Sequence, residues 1–465
     1  MASHSLGTVE LGYCLVTGGA GFLGRHLTAE LLRRGLRVRV FDRRATHTTH
    51  QRLDVLTGDV RDPAQVRTAC DGVDTVFHTA AVFCFLRFPT PAEREASFAV
   101  NVGGVQNVVR ACRDAGVRRL IHTSTNNVTF GGPVIDGDET WAYASKAKDL
   151  YTRTKILGEQ AVLEANGRDR LLTCAIRPGG IYGPGDSLML PSVVEQCARG
   201  RFIAIIGDGR AKSDNTFIDN LVDGQIEAAR HLTPESPLGG QAYFITDGIS
   251  LNYFEFFCPL VGAMGYPFPS RHVPVWPFYA ATWLWELAHR VLRVSPPALS
   301  HLEVRKLAVS HYSRVEKARR DFGWEPKVSL DEAVARCLPY CKQLLREVKL
   351  VERPPWYWWL LIPTGMGLTA LLALSPGVHG WWSAHITTWT PRWLFGGIFV
   401  WAALVHVRKG IKATRLAREA GLEPDAVGWG WQTFLLGFAS LGLLEKKIAL
   451  GRVGRGDAMT ASNRR

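Results

Sequence analysis

A short apolar run, a glycine-rich turn and a helix-like stretch follow one another near the start of the chain, at residues 13–16, 17–24 and 25–34. Glycine reaches the positive φ that such a tight turn needs, and without a Cβ it lets the backbone approach a pyrophosphate. The phosphates then lie at the positive N-terminus of the helix. This strand, turn and helix therefore predict a dinucleotide-binding unit. Its predicted cofactor contacts are Gly18, Gly21, Phe22, Leu23 and Gly24.

The second strand pattern, residues 37–42, ends on the carboxylate of Asp42. An acid at this distance from a glycine turn hydrogen-bonds the ribose hydroxyls of a dinucleotide. It also repels the additional phosphate of NADP, so Asp42 favours NAD. Arg43 and Arg44 follow directly, and either can pair with a 2′-phosphate, so NADP stays open as an alternative.

The net charge of +13 is distributed unevenly along the chain. From Val351 onward there are 13 Lys and Arg against 6 Asp and Glu, which is about half of the excess. The rest of the chain has no basic helix with interleaved aromatic residues, so we expect no nucleic-acid partner. The nine cysteines are scattered and have no histidine or acid set beside them. We therefore expect buried free thiols in a reducing compartment and no metal site.

Strand and helix patterns alternate from about residue 12 to residue 180, which predicts a parallel sheet with helices on both faces. Beyond Pro178 the spacing loosens, and Gly- and Pro-rich turns separate mixed strands and helices. The predicted fold class is α/β: a Rossmann-type doubly wound sheet, a smaller mixed α/β substrate lobe and a C-terminal helical membrane region. The predicted boundaries are 10–180 for the NAD-binding domain, 181–350 for the substrate lobe, which also returns to the first domain, 351–450 for membrane-anchoring helices and 451–465 for a basic tail.

The last quarter of the chain has the composition of membrane-embedded helices. No charged residue occurs between Arg353 and Arg392, and tryptophans cluster at 356–359 and at 381–382. A helix between these clusters is about 33 Å long and places an aromatic belt at each bilayer surface. A second apolar run, 393–407, is flanked by arginines that can extend to the interface.

A basic loop from Arg408 to Arg418 follows the second run, and we expect it on the cytoplasmic side. A third apolar segment spans about 429–444, and the tail after it carries Lys446, Lys447, Arg452 and Arg455. A cytoplasmic tail is incompatible with a third full span. We therefore expect the third segment to be re-entrant or interfacial.

Residues 273–292 form another apolar piece, rich in tryptophan, with Glu286, His289 and Arg290 on a polar side. An interfacial helix that holds the substrate lobe against a bilayer has this composition. A helix in the core of the lobe has a similar one, and the sequence does not distinguish the two.

Tyr151 and Lys155 are one helical turn apart and share a helix face. A nearby ammonium lowers the pKa of a phenol, so Tyr151 can accept a proton from an alcohol as hydride leaves for the cofactor. Thr123, Ser124 and Thr125 lie at the end of a strand, where their hydroxyls can reach the reacting oxygen. The second pair, Tyr143 and Lys146, has a three-residue spacing that turns the lysine away from this geometry.

At these residues the chain resembles the extended short-chain dehydrogenase/reductases, from about residue 10 to 345. It is most similar to their 3β-hydroxysteroid dehydrogenase branch, and within it to family 42E. The similar runs are 123–128, 130–132, 137–139, 151–155, 159–160 and 162–166. The resemblance places the catalytic Ser/Thr of the family on Thr125. It implies further cofactor-binding roles for Asp59, Val60, Ala80, Asn101, Tyr151, Lys155 and Pro178.

The resemblance implies an NAD-dependent oxidoreductase that oxidises the 3β-hydroxyl of a steroid or sterol, with decarboxylation of a 4-carboxysterol or an isomerase step as variants. Alternatives are a long-chain 3-oxoacyl or hydroxy-lipid reductase, a sugar-nucleotide epimerase or dehydratase, and a non-catalytic dinucleotide sensor. The expected partners are a lipid-like substrate and membrane lipid, and a homodimer is left open. The expected location is a membrane with the catalytic domain in the cytosol: endoplasmic reticulum in a eukaryote, inner membrane in a bacterium.

Overall fold

The computed structural model describes residues 8–46, 48–144, 146–147, 149–297, 299–348, 354–420, 422, 425–445 and 448. Two compact units are present. The first comprises the described residues up to Ser192 together with Ile203–Leu260 and Pro269–Cys341, and the second comprises Val193–Phe202, Val261–Phe268 and the described residues from Lys342 onward. The predicted tail lysines and arginines, and the whole of 451–465, lie outside the described residues.

The strands are β1 (Cys14–Thr17), β2 (Val38–Asp42), β3 (Leu53–Thr57), β4 (Thr75–His78), β5 (Arg119–Thr123), β6 (Val134–Gly137), β7 (Leu172–Pro178), β8 (Gly180–Tyr182), β9 (Ala204–Ile206), β10 (Lys212–Phe217), β11 (Gln241–Ile245), β12 (Ser250–Asn252), β13 (Arg271–Val273) and β14 (His311–Ser313).

The helices are α1 (Phe22–Arg33), α2 (Pro63–Cys70), α3 (Pro91–Phe98), α4 (Val105–Asp114), α5 (Leu150–Glu164), α6 (Met189–Ala198), α7 (Ile218–His231), α8 (Tyr253–Ala263), α9 (Trp276–Leu292), α10 (His301–Ala308), α11 (Glu316–Phe322), α12 (Leu330–Glu347), α13 (Trp356–Leu374), α14 (Pro376–His385), α15 (Arg392–Glu419) and α16 (Ala426–Leu436).

Seven parallel strands form the central sheet, in the order β3-β2-β1-β4-β5-β7-β11. All residues of β1, β4 and β5 are buried, as expected for strands covered on both faces. The predicted Rossmann-type sheet is confirmed. Because the strands are parallel, Thr17, Asp42, His78 and Thr123 end at the same edge, where ligands bind in such sheets.

A second, mixed sheet follows the order β12-β10-β14-β6, with β8 also paired to β10. The pairing of β10 with β12 is antiparallel and the others are parallel. The chain therefore crosses between the two sheets more than once: β6 precedes β7 but lies in the smaller sheet, and β11 follows β10 but completes the large one.

Within the described residues, α13 and α15 are long and apolar enough to cross a membrane, each with a mean hydropathy of 1.4 over its most apolar part. The expected single helix as far as residues 381–382 is wrong. Helix α13 ends at Leu374, and the Ser375 hydroxyl accepts a hydrogen bond from the Val378 amide at the start of α14. The 19 residues of α13 rise about 28 Å, which still approximates the thickness of a hydrocarbon core.

The basic segment after the second apolar run is helical and not a loop, because α15 continues unbroken to Glu419. Helix α16 runs back along it: the Phe434 carbonyl accepts a hydrogen bond from His406 Nδ1 at 2.7 Å. The chain turns at Gly437, whose φ is +55°, and residues 438–445 are again helical. Lys412 and Glu445 then form a 2.8 Å ion pair. The third apolar segment is therefore a short helical hairpin that packs along α15.

Candidate active site

The glycine turn between β1 and α1 leaves no room for side chains. Gly18 has a φ of +73°, and a Cβ on it would lie 2.8 Å from the backbone of Ala80. A Cβ on Gly24 would overlap the Gly18 carbonyl and lie 2.6 Å from Gly19 Cα. Gly21 is the N-cap residue of α1, and no side chain caps the helix there. The N–H groups of Phe22, Leu23 and Gly24, the first three residues of α1, therefore remain available to a ligand. This arrangement suits a pyrophosphate.

Asp42 lies beside this turn. One carboxylate oxygen accepts a 3.1 Å hydrogen bond from the Ala20 amide, and the other accepts a 2.9 Å bond from the Arg44 amide. The guanidinium of Arg44 is 3.9 Å away and its side chain is largely exposed. Asp42, which is predicted to hydrogen-bond the ribose, is therefore fixed next to the predicted phosphate site.

Asp59 and Val60 follow β3 at the same edge of the sheet. The Asp59 carboxylate accepts hydrogen bonds from Arg61, which lower its pKa. Val60 is buried, and a Cβ on Gly104 would lie 2.9 Å from it. Both residues lie in the loop that leaves the sheet edge, as expected of an adenine-side segment.

Asn101 lies in a π-helical turn, residues 99–104, that precedes α4. Its amide oxygen accepts the Val82 N–H at 2.8 Å, and its amide nitrogen donates to the Val82 carbonyl at 2.9 Å and to Thr154 Oγ1 at 3.0 Å. The side chain thus joins the loop that contains Ala80, after β4, to helix α5. Pro178 ends β7 at the same edge, paired with Ile245. Asn101 is placed to position this loop.

Tyr151 and Lys155 lie on one buried face of α5, whose first turn is capped by Asp149 through a 2.7 Å bond from the Thr152 amide. The side chain of Thr125 lies close enough to the Tyr151 phenol to lower its pKa. Lys155 Nζ donates a 2.6 Å hydrogen bond to the Thr123 carbonyl at the end of β5. The structure therefore brings together the three residues predicted to be catalytic.

Burial controls the titration of this site. It raises the pKa of Tyr151 above its usual value, Asp149 raises it further, and the nearby Thr125 side chain opposes both effects. Burial also lowers the pKa of Lys155 to about 8, against a smaller opposing effect of Glu159. The expected lowering of the tyrosine pKa by Lys155 is not seen: burial raises the pKa of Tyr151, and Lys155 is not among the groups that shift it.

Two buried histidines lie beneath Lys155, and the sequence analysis missed both. His78 and His122 are register partners on β4 and β5, with rings stacked at 5.4 Å between centroids. His122 Nε2 is 3.4 Å from Lys155 Nζ, and His78 Nδ1 is 2.7 Å from Thr17 Oγ1. Burial, followed by the charge of Lys155, lowers the pKa of His78 to about 3 and that of His122 well below its usual value. These imidazoles are therefore neutral at physiological pH.

Two aromatic rings pack on Tyr151 from the loop after β4. Phe83 stacks on the phenol ring and Phe85 meets it edge-on, each with 5.2 Å between centroids. The backbone of the same loop accepts the Tyr151 amide at the Cys84 carbonyl, 3.0 Å away. In the sequence, this contact could have been predicted from the two phenylalanines at 83 and 85, which follow the strand that ends at His78. These rings make the surroundings of the candidate base apolar.

Comparison with known proteins identifies the family. Residues 15–275 match the model of the 3-beta hydroxysteroid dehydrogenase/isomerase family. The chain belongs to this family. The predicted resemblance, with the short-chain dehydrogenase/reductase class that it implies, is thus confirmed.

Relatives within the family cover nearly the whole catalytic part of the chain. A 3 beta-hydroxysteroid dehydrogenase/Delta 5→4-isomerase of Mycobacterium tuberculosis is 42% identical over 74% of this chain and 94% of its own. The mouse sterol-4-alpha-carboxylate 3-dehydrogenase, decarboxylating, is 38% identical over 70% and 89%. The bovine short-chain dehydrogenase/reductase family 42E member 1 is 40% identical over 69% and 86%.

Solved structures confirm the fold. The UDP-glucose 4-epimerase of Thermotoga maritima, solved with UDP-glucose, superposes with a TM-score of 0.56 at 22% identity, over 72% of this chain and 99% of its own. At this identity the similarity concerns the architecture alone.

The C-terminal region of this family member has a second similarity. Residues 357–446 match the model of a family described as Transmembrane protein 254. The match begins after the last helix of the first unit and includes α13, α14, α15 and α16.

No group of three or more His, Cys, Asp or Glu side chains is arranged to hold a metal ion in the described parts of this 3β-hydroxysteroid dehydrogenase family member. The nine cysteines are free thiols, and eight of them are buried. One buried ion pair lies near the site: the Arg177 guanidinium is 2.6 Å from the Glu159 carboxylate.

Proposed function

We propose that this protein is a membrane-attached, NAD-dependent dehydrogenase that oxidises the 3β-hydroxyl of a steroid or sterol to a ketone. The observation that carries the proposal is the position of Tyr151, Lys155 and Thr125 at the sheet edge that also carries the glycine turn. A binding protein that only senses a dinucleotide has no need for these three side chains at the cofactor edge of the sheet. The names of the relatives supply the substrate class.

The residues present fit a nicotinamide dinucleotide. The turn at Gly18 and Gly24 is a space that a Cβ would fill, the start of α1 has no side-chain cap, and Asp42 is fixed beside it. Gly18, Gly21, Phe22, Leu23 and Gly24 would hold the pyrophosphate. Asp59, Val60, Ala80 and Pro178 would border the adenine and nicotinamide sides. When bound, the oxidised cofactor supplies the hydride acceptor and a positive charge next to the phenol.

The proton of the substrate hydroxyl is taken by Tyr151 as the C3–H bond breaks and a C3 carbonyl forms. Thr125, whose side chain lies beside the phenol, orients the reacting oxygen. Lys155 holds the nicotinamide ribose, and its ammonium favours the phenolate. Phe83 and Phe85 exclude water from the phenol and provide an apolar surface for a sterol ring system.

Asp42 supports NAD over NADP. Its two oxygens accept backbone amides from the turn and from Arg44, so the carboxylate is fixed beside the glycine turn, where it would accept a hydrogen bond from a 2′-hydroxyl and would repel a 2′-phosphate.

Two fates of the ketone are compatible with the family. For a substrate with a 4-carboxylate, oxidation at C3 creates a β-keto acid, which loses carbon dioxide. For a Δ5 steroid, the double bond moves into conjugation. The relative described as decarboxylating supports the first, and the relative described as an isomerase supports the second.

Membrane attachment is supported by α13 and α15 and by the similarity to a family described as a transmembrane protein. The basic C-terminal half of α15 favours the cytoplasmic side for that end of the helix. This orientation leaves the catalytic domain in the cytosol, at the endoplasmic reticulum of a eukaryote or the inner membrane of a bacterium. Sterol substrates partition into lipid, so the attachment places the enzyme where its substrate is.

The test uses the full chain in lipid nanodiscs with NAD or NADP. The substrate panel contains a 3β-hydroxy-Δ5-steroid, a 4α-carboxysterol, a long-chain 3-hydroxyacyl lipid and a sugar nucleotide. NADH absorbance reports turnover and mass spectrometry reports loss of carbon dioxide. We expect turnover on at least one sterol and none on the sugar nucleotide. Turnover confined to the hydroxyacyl lipid, no turnover at all, or full activity of Tyr151→Phe overturns the proposal.

A further inference from the structure

Helix α9 has the reverse of the usual amphipathic arrangement. Its buried residues are polar: Thr282, Glu286 and His289. Its opposite side exposes large apolar side chains, for example Trp276 (71% exposed), Leu284 (60%) and Leu292 (70%). Trp285 and Val291 are exposed as well. The structure therefore does not place the apolar side chains of this segment in the core of the substrate lobe.

The polar side of α9 is fixed to its neighbours, so the helix is held with its apolar side outward. The carboxylate of Glu286, which is completely buried, accepts hydrogen bonds from the Arg87 amide at 2.6 Å and the His301 amide at 2.8 Å. His289 is bonded to the Val294 carbonyl at 2.5 Å and to Glu93 at 3.2 Å. A buried carboxylate with these partners is costly to displace.

Four arginines gather at one end of this surface. A pocket between α3, α5 and α9 is lined by the side chains of Arg87, Arg94, Arg153 and Arg290. Within the described residues none of the four has a carboxylate within 4.0 Å, whereas Arg33 and Arg34 at the end of α1 are each paired with an acid. The pocket therefore concentrates uncompensated positive charge next to exposed tryptophan and leucine.

We propose that α9 and this arginine pocket form one surface that docks on an anionic lipid bilayer. A helix with tryptophan and leucine on one side inserts that side at the boundary between headgroups and acyl chains. Guanidinium groups next to it bind phosphate and carboxylate headgroups through paired hydrogen bonds. Because the same chain contains α13 and α15, the surface needs only to orient a catalytic unit that is already kept at the bilayer.

The docking surface is connected to the candidate active site through Glu286. The loop that donates the Arg87 amide to Glu286 also carries Phe83 and Phe85, which pack on Tyr151. Phe88 of this loop meets Trp283 of α9 edge-on, at 6.1 Å between centroids. This part of the inference rests on the proposed function: a sterol would then reach Tyr151 from the lipid, along α9 and the loop.

Site-directed spin labelling of the full chain in nanodiscs tests the docking directly. The background is Cys258→Ser, since Cys258 is the one native cysteine that is not buried. Labels are placed at Leu284→Cys and Leu292→Cys, and the control label at Val55→Cys, an exposed apolar position on strand β3. The accessibility of each label to oxygen is compared with its accessibility to a water-soluble nickel chelate. Nanodiscs contain phosphatidylcholine alone or with phosphatidylserine.

We expect the ratio of oxygen to nickel accessibility to rise severalfold at 284 and 292 when phosphatidylserine is present, and to stay unchanged at 55. The double substitution of Arg94→Glu with Arg290→Glu removes this rise. Arg67→Glu with Arg210→Glu changes the net charge equally on other exposed arginines and leaves it intact.

Water-like accessibility at 284 and 292 in both lipids overturns the docking proposal. A lipid-like ratio that is equal in both lipids, or that survives the Arg94/Arg290 reversal, overturns the anionic part. Labels shielded from both reagents indicate a protein partner on α9 and overturn the bilayer. None of these readings depends on turnover, so a failed dehydrogenase assay leaves the test intact.

Discussion

The hydroxyl of Tyr143 donates a 2.8 Å hydrogen bond to the carboxylate of Glu159, which is also bound by the Arg177 guanidinium at 2.6 Å. Both partners of Tyr143 are almost fully buried, and Lys146 is exposed. The second tyrosine–lysine pair of the sequence is thus divided between a structural network and the surface. Two tyrosines therefore lie at helix α5 with different expected roles. Tyr151 is the candidate proton acceptor, and Tyr143 holds Glu159 in a structural network.

Removal of the two hydroxyl groups should separate these roles. In Tyr151→Phe we expect kcat to fall by a factor on the order of 10²–10⁴, because the proton acceptor is lost. In Tyr143→Phe we expect kcat to be retained and the protein to lose about 1–3 kcal/mol of stability, since a hydrogen bond to a charged group is removed. Steady-state kinetics and thermal unfolding of both variants provide the measurement. Equal losses of kcat contradict the assignment.

The buried ammonium of Lys155 should couple stability to pH. Its pKa is about 8 in the folded protein, below the ordinary value of 10.5, because burial disfavours the charge. Between these two pH values the unfolded chain binds the proton and the folded protein does not, so stability rises with pH in that window. We expect Lys155→Met without cofactor to have a higher Tm than the wild type below pH 8, and the difference to shrink toward pH 10.5. A difference that is constant with pH contradicts the folded-state pKa.

A methyl group in the glycine turn should block the cofactor. In Gly24→Ala the new Cβ overlaps the Gly18 carbonyl, so the turn must shift away from the phosphate position. We expect the Kd for NADH, measured by fluorescence titration, to rise at least ~10-fold, which corresponds to about 1.4 kcal/mol. Gly262→Ala on α8 is the control, because nothing lies within 4 Å of its Cβ position. Unchanged NADH binding in Gly24→Ala shows that the phosphates bind elsewhere.

Asp42 and Arg44 should have opposite effects on cofactor choice. Asp42→Ser removes the charge that repels a 2′-phosphate, and we expect the ratio of kcat/KM for NAD to that for NADP to fall ~10–100-fold, or about 1.4–3 kcal/mol. Arg44→Ala removes a cation that can pair with that phosphate, and the ratio should rise. The measurement is initial rates with each cofactor at a fixed sterol concentration. A ratio that is insensitive to Asp42 argues against its contact with the ribose.

Glu286 is expected to act as a positioning residue for the loop over Tyr151. In Glu286→Gln one accepting oxygen becomes an amide donor that faces backbone N–H groups, so the loop loses support. We expect KM for the sterol to rise severalfold, with the Kd for NADH unchanged. Glu303→Gln, which alters a helix-capping carboxylate on α10, is the matched control. If both variants change Tm alone and leave KM unchanged, Glu286 has only a structural role.

Features that depend on residues close together along the chain could be predicted from the sequence. Contacts between residues far apart in the chain could not. The turn at Gly18, the acid Asp42 and the pair of Tyr151 and Lys155 each follow from a spacing within one element or between neighbours. The stacking of His78 on His122 depends on how β4 pairs with β5, 44 positions apart in the chain. The bond from Glu286 to the loop at Arg87 crosses 199 positions, and no local pattern records it.

The apolar C-terminal helices show a second limit of what composition can predict. Hydropathy is continuous from α13 into α14, so the apolar pattern predicts one long helix. The break comes from Ser375 and Pro376: a residue before proline is disfavoured in helical conformation, and proline is suited to the first turn of a new helix. The boundary between α13 and α14 is set by the backbone preferences of Ser375 and Pro376, and the hydrophobic pattern gives no sign of it.

The helical hairpin after α15 decides which side of a bilayer the C-terminus would reach in the proposed orientation. Helix α16 starts beyond the basic end of α15, turns at Gly437 next to His406, and has returned to the level of Lys412 by Glu445. In the proposed orientation, the hairpin would enter and leave the bilayer on the same side and would add no further span. In the proposed orientation, a reporter inserted between α15 and α16 and one fused after the last residue therefore register the same compartment.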